Sequence, residues 1–430
     1  MSHRTRQLRV SSLARVEGEG GLRLVIDGDR VELAELQIYE PPRFFEAFLR
    51  GRQFAEVPDI TARICGICPV AYQTSACNAI EAAAGVDVGD RIAALRRLLY
   101  CGEWISSHAL HIYLLHAVDF LGYPDAIALA EHHRTEFERG LALKKAGNAV
   151  LETIGGRAIH PVNPRVGGFH RAPTRSELAP LAAQLRRALD HALETVEWVA
   201  RFDFPDVEID HEFVAVHHSD QYAIENGVLA TTGGLRLPPS EFRQHVVEHQ
   251  VPHSTALHAT WDGRHYLTGP LARYTINSAQ LSPLAREAAD AAGLGDTCRN
   301  PFRSIVVRAV ETVYAVEEAL RLIARYERPD PPAIDVPARA GVGHGVSEAP
   351  RGLLYHRYEL AADGAIVDAS IVPPTAQNQA AIEDDLRHVA ERALALGDGA
   401  LTALCEQTIR NYDPCISCAT HFLDVTIERR

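Results

Sequence analysis

The 430-residue chain has no apolar run approaching the ~18–20 residues of a membrane-spanning helix. Its opening, Met1 to Val10, is basic and polar with no apolar stretch behind it, which does not fit a secretory signal. It contains no Gly-x-Gly-x-x-Gly fingerprint for a dinucleotide and no cysteine set of the kind that holds an iron–sulfur cluster. No internal repeat or low-complexity tract appears. Positive charge is in deficit: 43 Lys and Arg against 56 Asp and Glu leave a net charge of −13. That balance argues against a nucleic-acid partner. Cysteine is scarce as well. Eight residues are too few to staple a chain of this length, and they fit a reducing, cytoplasmic compartment. Of these, Cys77, Cys101, Cys298 and Cys405 read as small buried apolar residues.

The other four cysteines form two pairs at opposite ends. One is Arg63-Ile64-Cys65-Gly66-Ile67-Cys68; the other is Asp413-Pro414-Cys415-Ile416-Ser417-Cys418-Ala419-Thr420-His421. A Cys-x-x-Cys turn brings two sulfurs to one side, and thiolates favour nickel, copper(I), zinc or iron over calcium or magnesium. Three readings compete: a structural four-cysteine zinc site, two unrelated motifs, or a metal site buried between the ends of a large domain. Structural zinc generally clamps a short segment, not nearly a whole chain.

Between the pairs the chain reads as α+β, mainly α. A long-helix bundle core is flanked by an N-terminal β-hairpin region and a β-rich insertion, with the metal site between N- and C-terminal segments. Residues 1–40 form the β region, 41–203 the helical core, 204–275 the insertion and 276–430 the part that closes the site, all within one domain of 1–430. Leu22, Leu24 and Ile26 alternate along one strand, and Val31 and Leu33 resume the alternation after Asp27-Gly28-Asp29. Helical spacing predicts helices over 69–84, 90–120, 124–151, 177–201 and 302–326, and over much of 380–409. Three long helices suggest a bundle. His108, His111 and His116 read as core or surface histidines, and His217, His218, His245 and His249 as exposed loop residues. Glu348-Ala349-Pro350-Arg351-Gly352 follows a Gly-rich loop.

Arg-x-Cys-Gly-x-Cys and Asp-Pro-Cys-x-x-Cys-x-x-His, in this order and at the two ends, resemble the signature motifs of nickel–iron hydrogenase large subunits. Arg15-Val16-Glu17-Gly18, Glu348-Ala349-Pro350-Arg351-Gly352 and Val372-Pro373-Pro374-Thr375 resemble three further family segments. Cys65-Gly66-Ile67-Cys68-Pro69-Val70-Ala71-Tyr72 is most similar to the soluble, pyridine-nucleotide-linked branch called sulfhydrogenases. The resemblance implies reversible dihydrogen oxidation at a Ni–Fe centre with carbonyl and cyanide ligands on iron. It implies Cys65 and Cys415 terminal on nickel, with Cys68 and Cys418 bridging to iron. Glu17 becomes a proton relay, Arg351 overhangs the open face, and Asp413 orients Arg351 or the thiolates. Pro374 and Thr375 hold a cyanide. Glu46, the backbone carbonyl of Ile371 and His421 hold a second metal, Mg2+ or Fe2+. The chain departs from the family at Glu19 and Tyr72, where histidine is usual, and at Ser107, where an aspartate commonly pairs with the active-site arginine.

Splitting dihydrogen needs a Lewis acid for hydride and a base for the proton, and the electrons must then leave. Lacking cluster and nucleotide motifs, the chain is expected to need an iron–sulfur small subunit and flavin- and NAD(P)-binding diaphorase subunits. The resemblance also implies a maturation protease that cuts after His421 and releases 422–430. Phe422 to Ile427 alternates like a strand, so a permanent sheet edge is the competing reading. The alternative function is a metal-free or zinc-bound structural homologue in a respiratory-type redox complex, against which the four retained cysteines argue.

Overall fold

The computed structural model describes residues 5–420. The chain opens with three antiparallel strands in spatial order: β1 (Thr5–Val10), β2 (Gly20–Asp27) and β3 (Arg30–Ile38). Leu22, Leu24 and Ile26 are buried, as their alternation predicts. The expected continuation fails at Leu33, which is only half-buried, while Val31, Ala34, Leu36 and Ile38 point inward. A bulge is the cause: Ile26 pairs with Val31 but Val25 pairs with Leu33, so Glu32 is an extra residue that flips the alternation.

After a short helix, α1 (Phe45–Leu49), helix α2 (Pro69–Ala84) starts directly behind Cys68. Pro69 suits the first helical position, where a missing N–H costs nothing. Four long helices follow: α3 (Asp90–Leu110), α4 (Arg134–Gly155), α5 (Arg175–Val199) and α6 (Ser304–Ala324). They pack α3 on α4, α4 on α5, α5 on α6 and α6 on α3, so the bundle has four members. The expected helix over 90–120 is interrupted. After Leu110 it widens into a π turn, His111–His116, and resumes as Ala117–Leu121. The wide turn lets His111 reach the Arg410 carbonyl at 2.8 Å and His116 the Asn411 side chain at 2.9 Å. The expected helix over 124–151 breaks at His133 into Ala126–His132 and α4.

Residues 204–275 hold a small four-stranded sheet and a separate hairpin, Val246–His249 with His258–Trp261. Its histidines are not all loop residues. His217 lies in a strand, 2.9 Å from Asn277, and His245 is half-buried and stacks on Trp261 at 5.1 Å. The C-terminal part holds three antiparallel strands, β4 (Gly341–Ala349), β5 (Gly352–Leu360) and β6 (Ile366–Val372). Helices α7 (Pro374–Arg392), α8 (Asp398–Asn411) and α9 (Ile416–Ala419) follow.

The Gly-rich segment before Glu348, expected as a loop, is strand β4. Its glycines serve close packing: a Cβ on Gly343 would lie 1.9 Å from the Ala79 carbonyl, and one on Gly345 2.2 Å from that of Ser75. Helix α2 therefore rests on the bare backbone of β4. The main apolar core runs from the N-terminal sheet through the bundle to the C-terminal helices. Among the described residues, no single helix is long and apolar enough to cross a membrane.

Candidate metal centre

The chain ends meet. Cys65 Sγ lies 3.3 Å from Cys415 Sγ, and Cys68 Sγ 3.5 Å from Cys418 Sγ. Cys415 and Cys418 are 2.9 Å apart, and all four sulfurs lie within 4.8 Å of one another. All four are free thiols and buried. Packed together, they share protons. Hydrogen bonding, first from Cys415 and then from Cys418 and Cys68, holds the Cys65 thiol well below its ordinary value. Burial, with the neighbouring thiols, pushes Cys415 well above it. Four thiolates at these separations would repel one another, so the set fits a soft cation that takes the place of the protons.

Glu17 joins the group from the N-terminal side. Its Oε2 accepts from Cys415 Sγ at 3.1 Å and from the Ser417 amide at 3.0 Å, while its carbonyl accepts from the Ile416 amide at 3.0 Å. Burial first, then the Cys65 charge, raises its carboxyl above the usual range. Gly18 makes this approach possible. Its φ is +89°, and a Cβ there would lie 2.7 Å from both Ile416 Cβ and Glu40 Oε2.

Arg351 comes from the C-terminal sheet. Ala349 pairs with Gly352, so Pro350 and Arg351 form a two-residue hairpin tip between β4 and β5. Arg351 Nε donates to the Asp413 carbonyl and Nη2 to Asp413 Oδ1, both at 2.9 Å. Nη1 is buried without a hydrogen-bond partner among the described residues. Burial opposes the charge, but Asp413 and the neighbouring thiolates hold the guanidinium firmly protonated. The hairpin tip is itself anchored by Arg273, which donates to the carbonyls of Ala349 at 2.7 Å and Pro350 at 2.9 Å. Arg273 also bridges Glu311 at 2.9 Å and Glu348 at 3.1 Å. Among the described residues Ser107, where the resembled family has an acid, has no hydrogen-bond partner at its hydroxyl, and Asp413 is the acid paired with Arg351.

Thr375, on the first turn of α7 beside Pro374, accepts the Cys415 amide through Oγ1 at 2.9 Å. Glu46 and Ile371 also meet: Glu46 Oε1 accepts the Ile371 amide at 2.6 Å. Burial pushes the Glu46 carboxyl up to about 8. A half-buried carboxylate held chiefly by one amide fits a hard cation. Rather than extending into water, as a lone Glu on an apolar helix usually does, Glu46 turns inward. His421 lies outside the described residues.

Sequence reasoning missed several supports. Glu103 accepts the amides of Val70 at 2.6 Å and Ala71 at 3.1 Å, and so caps the helix behind Cys68. Arg43 binds the carbonyls of Ile64 and Ser417, tying the two cysteine turns together. Arg273 falls in the segment 204–275, which the sequence marks only as a β-rich insertion. Nothing in a helical or polar pattern marks a side chain that works across such sequence separations. Tyr72, which stands where the family has histidine, is fully buried beside Cys68 and Cys418, and burial raises its hydroxyl well above the ordinary value.

Comparison with known proteins agrees with the geometry. The family described as nickel-dependent hydrogenase matches residues 43–139 and 239–421. Sulfhydrogenase 1 subunit alpha of Pyrococcus furiosus is 36% identical over 418 residues, covering 96% of this chain and 97% of that protein. The NAD-reducing hydrogenase HoxS subunit beta of Cupriavidus necator is 28% identical, covering 97% and 95%. The crystal structure of an NAD+-reducing NiFe-hydrogenase in the H2-reduced state superposes with a TM-score of 0.87 at 27% identity, covering 97% of this chain and 99% of that one. With four converged thiols, matching motifs and near full-length similarity, the chain belongs to the nickel-dependent hydrogenase family, as a catalytic large subunit.

Proposed function

We propose that the chain oxidises dihydrogen and reduces protons reversibly, passing electrons to an iron–sulfur small subunit and on to NAD(P). The nickel–iron group, with carbonyl and cyanide on iron, supplies when bound the Lewis acidity that polarises dihydrogen. Cys65, Cys68, Cys415 and Cys418 would hold this group through their four thiolates. Cys415 is the sulfur that hands a proton on: its contact with Glu17 Oε2 at 3.1 Å supports a proton step from thiol to carboxylate. The raised Glu17 carboxyl suits a group that both takes and releases a proton. Arg351 is held in a fixed fork by Asp413, and its Nη1, buried without a partner among the described residues, is the donor left over for polarised dihydrogen. Thr375 Oγ1 already accepts an amide, so its own proton is available to a cyanide nitrogen, with Pro374 beside it. Glu46, the Ile371 backbone carbonyl and His421 would hold Mg2+ or Fe2+.

The alpha-subunit relatives support a small-subunit partner. The turn between Cys65 and Cys68 reaches the surface at exposed Gly66, close to Ile159, which is 59% exposed. An electron acceptor docked there would stand directly over the sulfurs. The HoxS relative, named an NAD-reducing hydrogenase, supports an NAD(P) acceptor reached through diaphorase subunits beyond it. A cytoplasmic setting and a maturation protease acting after His421 complete the reading and rest on the motif resemblance alone. We take 1–430 as one domain. The observation that carries the reading is the convergence of four thiols on Glu17 and Arg351. Metal analysis of protein matured in its own host tests it: nickel and iron together are expected, whereas zinc alone or no metal would reject it.

A further inference from the structure

A second group of metal-competent side chains lies outside the cysteine centre. His253, His258 and Glu383 each place one donor atom so that all lie within 4.8 Å of one another. They come from separate places. His253 is in the connection after the strand Val246–His249, His258 opens the strand His258–Trp261, and Glu383 is in the middle of α7. Glu383 Oε1 is 2.7 Å from His253 Nε2 and also accepts the Leu36 amide of β3 at 2.9 Å.

His258 is the informative member. It is 3% exposed; its ring is in hydrogen-bonding reach of the Gln379 side chain, while its Nε2 has no hydrogen-bond partner among the described residues. Leaving a buried polar atom unsatisfied costs about 1–3 kcal/mol. Its ring centroid is 5.5 Å from that of His253 and 5.9 Å from that of His249, its cross-strand partner. Burial, and then the charges of His253 and His249, keep the ring neutral, which is the form that ligates metals. Two imidazoles meet at one carboxylate here, one of them with a buried nitrogen left unused, and a third imidazole, His249, stands beside the pair at the surface.

We propose that His253, His258 and Glu383 bind a divalent transition ion of the zinc class, separate from the nickel–iron centre. Two imidazoles and a carboxylate are a zinc donor set, with bonds of about 2.0–2.2 Å. Donors that now lie within 4.8 Å need only a small rotation of His253 and Glu383, whose side chains are 18% and 15% exposed. The ion replaces the proton that His253 shares with Glu383. The fourth position falls to His249 or water. Bound there, the ion bolts the insertion to α7, the helix that carries Pro374 and Thr375, and to β3. The site stands eight residues along α7 from Thr375, about 12 Å by helical rise.

The test uses the matured complex, freed of loosely held ions by a mild chelator, incubated with zinc and gel-filtered. Zinc, nickel and iron are then counted per large chain. Wild type should retain about one more zinc than His258→Gln, His253→Gln or Glu383→Gln. Added zinc should raise the melting midpoint of the wild type only. Nickel content should be equal in all, which separates this result from the fate of the nickel–iron reading. Glu383→Gln keeps an acceptor for the Leu36 amide, and His253→Gln alters a half-buried residue, so both report even if His258→Gln folds poorly. A wild type that retains no zinc above these variants, with no zinc-dependent rise in midpoint, would overturn the proposal.

Discussion

Arg351 has two of its nitrogens committed to Asp413 and a third left bare, and this division defines its task. A lysine ammonium in its place is a point charge that cannot hold Asp413 twice and also present a donor to the site. Arg351→Lys should therefore keep nickel and fold but lose dihydrogen turnover about 10²-fold, the usual cost of removing one preorganised donor. Activity equal to wild type would remove Arg351 from the mechanism. Glu17→Gln keeps the acceptor for the Ser417 amide but cannot take a proton from Cys415. It should retain metal while slowing exchange between H2 and D2O about 10²-fold; unchanged exchange would send the protons by another route. The placement of Glu17 and Arg351 beside the cysteines was legible because each sits in a short distinctive motif. Arg273, Glu103 and Arg43 were not, since what they do depends on which distant carbonyl or amide the fold delivers to them.

Among the elements, the contact of α2 with β4 governs the site. Helix α2 begins at Cys68, and β4 leads into the hairpin tip that bears Arg351, so their separation sets the distance from sulfur to guanidinium. Gly343 and Gly345 allow that contact, and the glycines read as a loop because composition alone cannot distinguish backbone freedom from lack of room. Gly343→Ala forces a Cβ to 1.9 Å from the Ala79 carbonyl, a clash between two backbones with no flexible side chain to yield. It should lower stability by about 1–3 kcal/mol or more and reduce nickel occupancy, read by thermal melting and metal analysis. An unchanged melting midpoint would mean that α2 lifts off β4 freely. Helices α2, α5 and α6 were legible from periodicity. The π turn after Leu110 was not, because its apolar spacing stays close to helical while its hydrogen bonding is decided by Arg410 and Asn411.

For the whole molecule, the design problem is to bring the two ends of the chain together around an ion. The N-terminal strands, the bundle and the C-terminal helices share one core, and the cysteine turns meet where those parts join. That closure suggests why a C-terminal extension would be removed late. The segment after His421 would hold the chain end away while metal enters. Intact mass of active, nickel-loaded subunit should correspond to a chain ending at His421, whereas one still ending at Arg430 would mean maturation without cutting. The central claim is that the four converged thiols hold nickel and an iron with carbonyl and cyanide ligands. Infrared spectroscopy of the complex purified from its own host addresses it most directly. Stretching bands of one metal-bound carbonyl and of cyanide, shifting when the sample is reduced with dihydrogen, are the predicted result; a metal-loaded, folded subunit with neither kind of band would contradict it.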